Sequence, residues 1–113
     1  MHTCEPRHFL QACLLLLLRE RPSHGYELLE RLDARRLADA DPAGVYRALR
    51  ILERDGLTRS TWCPSAAGPA RRTYQLTPQG LAALDRAVVD LEQTRNALDT
   101  YLQHFGRTAV RSR

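Results

Sequence analysis

The stretch from Ser23 to Thr77 constrains the fold most, because three local signals follow one another there in a fixed order. A short amphipathic segment opens at Ser-His-Gly-Tyr, Ser23 to Tyr26. A second helix opens at Asp41-Pro42, where Asp suits the N-cap and Pro the first helical position. Two β-like runs, Leu57 to Cys63 and Arg71 to Thr77, then flank a Pro- and Gly-containing loop from Pro64 to Ala70. On the second of the two helices, Val45, Leu49 and Leu52 follow the spacing of a buried stripe, and Ala43, Arg47, Arg50 and Arg54 fall on the opposite face. Two helices, a hairpin and a basic helix face are the parts of a winged helix-turn-helix, which sets one helix in a DNA groove. The expected fold is mainly α with a small β-hairpin.

Around this centre the chain reads simply. His8 to Glu20 forms a helix whose middle, Leu14 to Leu18, is apolar all the way round. A surface helix shows one apolar stripe, so this one needs cover on more than one side, one of them supplied by a second subunit. Pro22 ends it, and Ser23 or His24 caps the next helix, which carries Leu28, Leu29 and Leu32 inward and runs to about Arg35. Arg36 to Ala40 is the turn, and Gly56 stops the helix that begins at Pro42. Trp62 and Tyr74 are expected to meet across the strand pair, with packing the simplest role for Trp62. Thr77-Pro78 opens a last helix in which Leu81, Leu84, Val88, Leu91, Leu98, Leu102 and Phe105 alternate by threes and fours, broken at Arg95. Such a seam packs against another helix. At roughly 28 residues and about 40 Å, this helix is longer than the domain needs, which favours dimerisation over folding back. The division expected is a winged helix-turn-helix domain over 8–77, a dimerisation helix over 78–106 and flexible ends at 1–7 and 107–113.

Size and charge narrow the function classes. At 113 residues the chain makes one small domain. A net charge of +4 suits a polyanion. All 17 basic residues are Arg, a codon-usage signature of a GC-rich genome, so their positions carry information and their identity does not. The apolar run Phe9 to Leu18 is too short to span a bilayer, and Arg19-Glu20-Arg21-Pro22 follows it in place of a cleavage site. A cytoplasmic protein without a membrane partner is expected. Cys4, Cys13 and Cys63 lack the spacing of a disulfide framework. His2, Cys4 and His8 lack a common ligand spacing. No metal and no cofactor is expected. No nucleophile–base arrangement, acid pair or phosphate-cradling Gly loop stands out, so no enzymatic activity is expected, and Gly56, Gly68 and Gly80 are assigned to turns and caps.

Three pieces carry a family resemblance: Leu15 to Leu28 (LLLLRERPSHGYEL), Val45 to Leu57 (VYRALRILERDGL) and Gly68 to Gly80 (GPARRTYQLTPQG). Together, in this order, they resemble the PadR-like transcriptional regulators over roughly residues 9 to 105, in the smaller branch with a single C-terminal helix. The resemblance implies a homodimeric repressor on a roughly palindromic double-stranded operator. It makes the helix from Pro42 the recognition helix, with Gly44, Tyr46, Arg47 and Arg50 at its DNA-facing start and Arg54 further along. It places His24 and Tyr26 at the opening of the preceding helix, where Tyr26 touches phosphate or packs on the recognition helix, and Arg71 and Arg72 as the basic pair of the wing. It implies a dimer interface of Leu14, Leu17, Leu84, Val88, Leu91, Leu98, Leu102 and Phe105. A small-molecule effector near that interface is also implied, with Arg95 the candidate to meet an anionic one; a register-setting or exposed role for Arg95 is the plainer reading. Two positions depart from the family pattern: Arg47 stands where many members carry Pro, and Gly44 where many carry Thr or Ser. Two other functions compete with this one. The domain is a protein-interaction module whose charge is incidental, or Cys63, near Arg59 and Arg71, is a redox-sensing thiol.

Overall fold

A computed structural model describes residues 8–111. The predicted flexible leader 1–7, with His2 and Cys4, lies outside the described residues. The order is α1 (Phe9–Glu20), β1 (Ser23–His24), α2 (Gly25–Ala34), α3 (Pro42–Arg54), β2 (Thr58–Ser65), β3 (Gly68–Leu76) and α4 (Pro78–Arg111). The architecture is the expected one, four helices and a small antiparallel sheet, with one strand more than predicted. Ser23 and His24 do more than precede α2. They pair with Tyr74 and Thr73, so the sheet order is β1-β3-β2 with β3 central.

Three of the four helices, α2, α3 and α4, start on a side-chain cap. His24 Nδ1 accepts the Glu27 N–H at 3.2 Å, and Asp41 Oδ1 accepts the Gly44 N–H at 2.8 Å. Thr77 Oγ1 accepts the Gly80 N–H at 3.0 Å and donates to the Gly56 carbonyl at 2.7 Å. Gly56 has φ 76°, the left-handed conformation that ends α3. Gly80 answers to a different demand from a turn or cap: a Cβ there would overlap the Leu57 carbonyl. The start of α4 therefore lies directly on the chain leaving α3.

The hairpin is longer than its composition suggested. Pairing runs from Thr58↔Leu76 to Cys63↔Arg71, shifts at Pro64, and resumes at Ser65↔Gly68. Pro64 cannot donate to the ladder, so the register breaks there, but the strands continue past it. Ala66 and Ala67 make the turn, in place of the predicted loop from Pro64 to Ala70. Trp62 faces Arg72, and Tyr74 faces Ser60; Trp62 and Tyr74 are thus diagonal neighbours, not a direct pair.

The core is built from Leu14, Leu17, Leu28, Leu32, Val45, Leu49 and Leu52, with Tyr74 and Leu84 closing its sides. This corrects the interface expectation at three positions. Leu14 and Leu17 are fully buried and Leu84 nearly so, because α2, α3, α4 and β3 all pack on α1. They fill the protomer's own core and are not open to a partner. Of the apolar centre of α1 only Leu16 reaches the surface. A buried cation completes the frame: Arg31 donates to Ser23 Oγ (2.8 Å), the Leu17 carbonyl (2.9 Å) and Glu20 (2.8 Å). It ties the end of α1 to β1 through α2.

The last helix does not stop at Gly106. It continues to Arg111, and Thr108 Oγ1 donates to the His104 carbonyl across the glycine. An interior Gly costs about 1 kcal/mol against Ala, a penalty good helix formers on both sides absorb. The predicted flexible tail is thus helical through Arg111.

Candidate nucleic-acid interface

Side chains of α3 divide cleanly by face. Val45, Ala48, Leu49 and Leu52 are buried, while Tyr46, Arg47, Arg50 and Arg54 are exposed. Arg54 bonds its neighbour Asp55 at 3.1 Å. Arg47 and Arg50 have no hydrogen bond or ion pair among the described residues. Two guanidinium forks therefore stand on one helix face with their donors uncommitted. Gly44, at the first turn, gives its N–H to the Asp41 cap, and a Cβ there would crowd the same carboxylate.

Gly25 leaves room for a ring of α3. The Tyr46 ring lies so close to this glycine that any Cβ would overlap it. The start of α2 thus serves as the seat for the Tyr46 ring of α3. Tyr26, next in sequence, is 61% exposed; the close aromatic contact between α2 and α3 is made from the other side, by Tyr46 of α3 against Gly25.

The wing joins the same surface. His24, Gly25, Tyr26, Tyr46, Arg50, Trp62, Arg71, Arg72 and Tyr74 line one cleft of about 440 Å³ between the start of α2, α3 and the hairpin. Seven predicted DNA-binding residues are accordingly close to one another or on adjoining turns: His24, Tyr26, Tyr46, Arg47, Arg50, Arg71 and Arg72. Arg71 Nη1 lies 3.0 Å from His24 Nε2. Arg72 is held by Ser60 Oγ (2.8 Å) and Glu53 (3.6 Å), with its guanidinium 5.7 Å from the Trp62 ring centre. Trp62 is 67% exposed, so the packing role expected for it is replaced by a place on this surface. Tyr74 forms the buried floor, and its burial raises the phenol pKa above its ordinary value. Trp62, Tyr74 and the β1 strand were missed as parts of the site. The aromatic content of the wing was visible, but its register was not.

Two predicted features lie elsewhere. Cys63 is half-buried opposite Arg71, its Sγ 4.0 Å from Thr61 Oγ1. Arg95 is exposed on α4, one turn beyond Leu91, the last α4 residue lining an apolar groove with Phe9, Ala12, Leu16 and Val88. No helix of the described residues is long and apolar enough to cross a membrane.

Comparison with known proteins agrees with this geometry. The model of the transcriptional regulator PadR-like family matches residues 14–86. No curated protein matches. Among solved structures, a conserved protein of unknown function described as a potential transcription factor is 30% identical; the alignment covers 95% of this chain and 97% of that one, with a TM-score of 0.77. A PadR family regulator from Eggerthella lenta is 27% identical over 85% of this chain and 83% of its own, with a TM-score of 0.75. Bacillus subtilis PadR, solved with operator DNA, shares the fold at 21% identity and a TM-score of 0.68, over 74% of this chain and 49% of that one.

Proposed function

The chain belongs to the PadR-like family of transcriptional regulators, and on that premise we propose that it is a sequence-specific DNA-binding repressor acting as a homodimer in the cytoplasm. The observation that carries this reading is the uncommitted pair Arg47 and Arg50 on the outer face of α3, beside the wing arginines Arg71 and Arg72. Arg forks on an exposed helix suit guanine edges in the major groove, at about 1–3 kcal/mol of discrimination for each good bidentate pair. Wing arginines suit the phosphate backbone or the minor groove. Tyr26, exposed at the start of α2, suits a flanking phosphate. The fold shared with Bacillus subtilis PadR, which was solved with operator DNA, supports DNA as the partner.

Two such heads bind a roughly palindromic operator when α4 pairs with α4 of a second copy. The exposed Leu98, Leu102 and Phe105, with Val88 and Leu91 nearer the domain, form the surface for that pairing. In this reading, release follows when a small effector alters the distance between the two recognition helices, with Arg95 the candidate to meet an anionic one.

The test is a gel-shift titration on DNA upstream of the protein's own gene against scrambled DNA of equal length, at two salt concentrations. Selective binding that weakens steeply with salt is expected, because each neutralised phosphate contributes about 0.9 to the slope of log K against log salt. Arg47→Ala should lose operator binding while the dimer persists. Wild-type binding by that variant would place the reading face elsewhere, and equal weak binding to both DNAs would return the wing to a protein-interaction role.

A further inference from the structure

The cleft between α2, α3 and the wing has the volume of a small-molecule site, about 440 Å³ against a usual range of roughly 300–1,000 Å³. Two chemistries converge in it. Tyr26, Tyr46 and Trp62 present exposed rings around its mouth. Arg50 and Arg71 supply charge; Arg72 is already engaged by Ser60, Glu53 and the Trp62 ring.

His24 shows what the charge is for. A neutral imidazole has one acceptor nitrogen, and two donors claim it here: the Glu27 N–H on Nδ1 and Arg71 Nη1 beside Nε2. With the α2 cap kept, Nε2 carries the hydrogen and faces a guanidinium donor. An anion that takes both the Nε2–H and the Arg71 N–H removes the conflict. Phosphate suits this place, because guanidinium forks grip it and the start of α2 favours negative charge.

We propose that the cleft binds a free phosphate-bearing planar molecule the size of a nucleoside monophosphate. The phosphate sits on His24, Arg71 and Arg50, and the ring lies against Trp62 and Tyr46. The DNA backbone offers the same phosphate chemistry, but the bases of a duplex are already stacked and offer no free face, whereas exposed aromatics favour an unstacked ring. The regulatory consequence rests on the DNA-binding reading. The ligand and the operator strand need the same residues, so they exclude one another, and the ligand acts on the reading head directly.

Trp62 is the only tryptophan in the chain, so its fluorescence reports this cleft. The full-length protein is titrated with adenosine or guanosine monophosphate, the matching nucleoside, and inorganic phosphate. Expected is a saturable change with the monophosphate, about tenfold weaker or more with the nucleoside or with phosphate alone. Arg50→Ala and Arg71→Ala, both surface changes, should each weaken it about tenfold with circular dichroism preserved. No saturable change, a response that neither substitution alters, or equal affinity for inorganic phosphate overturns the proposal. A gel shift with and without the monophosphate separates the two claims. An operator complex that ignores the ligand refutes this inference and leaves the regulator standing. A ligand bound by a protein that selects no DNA sequence refutes the regulator and leaves the pocket.

Discussion

Gly25 shows how much a single missing side chain sets in this protein. Its position at the opening of α2 is plain from the run Ser-His-Gly-Tyr, but the reason for glycine is not, because the ring that needs the space, Tyr46, is on another helix. Gly25→Ala forces the partly exposed Tyr46 ring out of its seat. Because only the tip of a partly exposed ring must move, the cost lies at the low end of the range of about 1–3 kcal/mol for an inserted methyl, to be read as a lower urea midpoint, and DNA affinity should fall as well because Tyr46 belongs to the proposed reading face. Unchanged stability and unchanged DNA binding would mean that Tyr46 has no fixed seat. His24 is a similar case: its capping role is legible locally, and its meeting with Arg71, 47 positions later, is not.

At the scale of elements, the junction of α1, β1 and α2 is held by charges that the hydrophobic pattern does not reveal. Glu20 takes Arg35 and Arg31, and Glu27 takes Arg21. The Arg35 hydrogen bond, followed by that of Arg31, lowers the Glu20 pKa below 4.5, and the Arg21 hydrogen bond does the same for Glu27. A depressed carboxylate pKa contributes stability that is present in full above the unfolded value and lost as pH falls through the folded one. The contribution of these pairs should therefore hold from neutral pH to about pH 4.5 and fade below it. Glu20→Gln should flatten that acid limb in denaturation curves taken from pH 7 to pH 3. A limb of the same depth in the variant would assign the acid sensitivity to other groups. The wing belongs to this scale too. Its two strands were legible from Thr and aromatic content, but the continuation past Pro64 and the third strand depend on pairing partners distant in sequence.

The whole molecule measures 65 × 28 × 20 Å, and α4 accounts for its length. Leu84 anchors the near half of this helix to α1, whereas Leu98, Tyr101, Leu102 and Phe105 on the far half are all more than half exposed. Leu102→Glu with Phe105→Glu should leave the core untouched and yield a monomer by light scattering. Operator affinity should then fall by about a hundredfold or more, since linked heads gain that much from effective concentration. A double variant that stays dimeric would move the interface to the groove of Phe9, Ala12, Leu16 and Val88 on α1 and α4.

Local chemistry was sufficient for much of this. Asp41-Pro42, Gly56 and Thr77-Pro78 mark helix ends because caps and φ preferences act within a few residues. The stripe of Val45, Leu49 and Leu52, and so the outward face of Arg47 and Arg50, follows from helical period alone. Tertiary structure decided which apolar residues are spent in the core. Leu14, Leu17 and Leu84 look like interface residues in a one-dimensional pattern, yet the chain covers them itself. It also decided that His24, Trp62 and Arg71 share one cleft with Arg50. Periodicity reports that a face is apolar or charged, but what covers that face is set by packing between segments far apart in the chain.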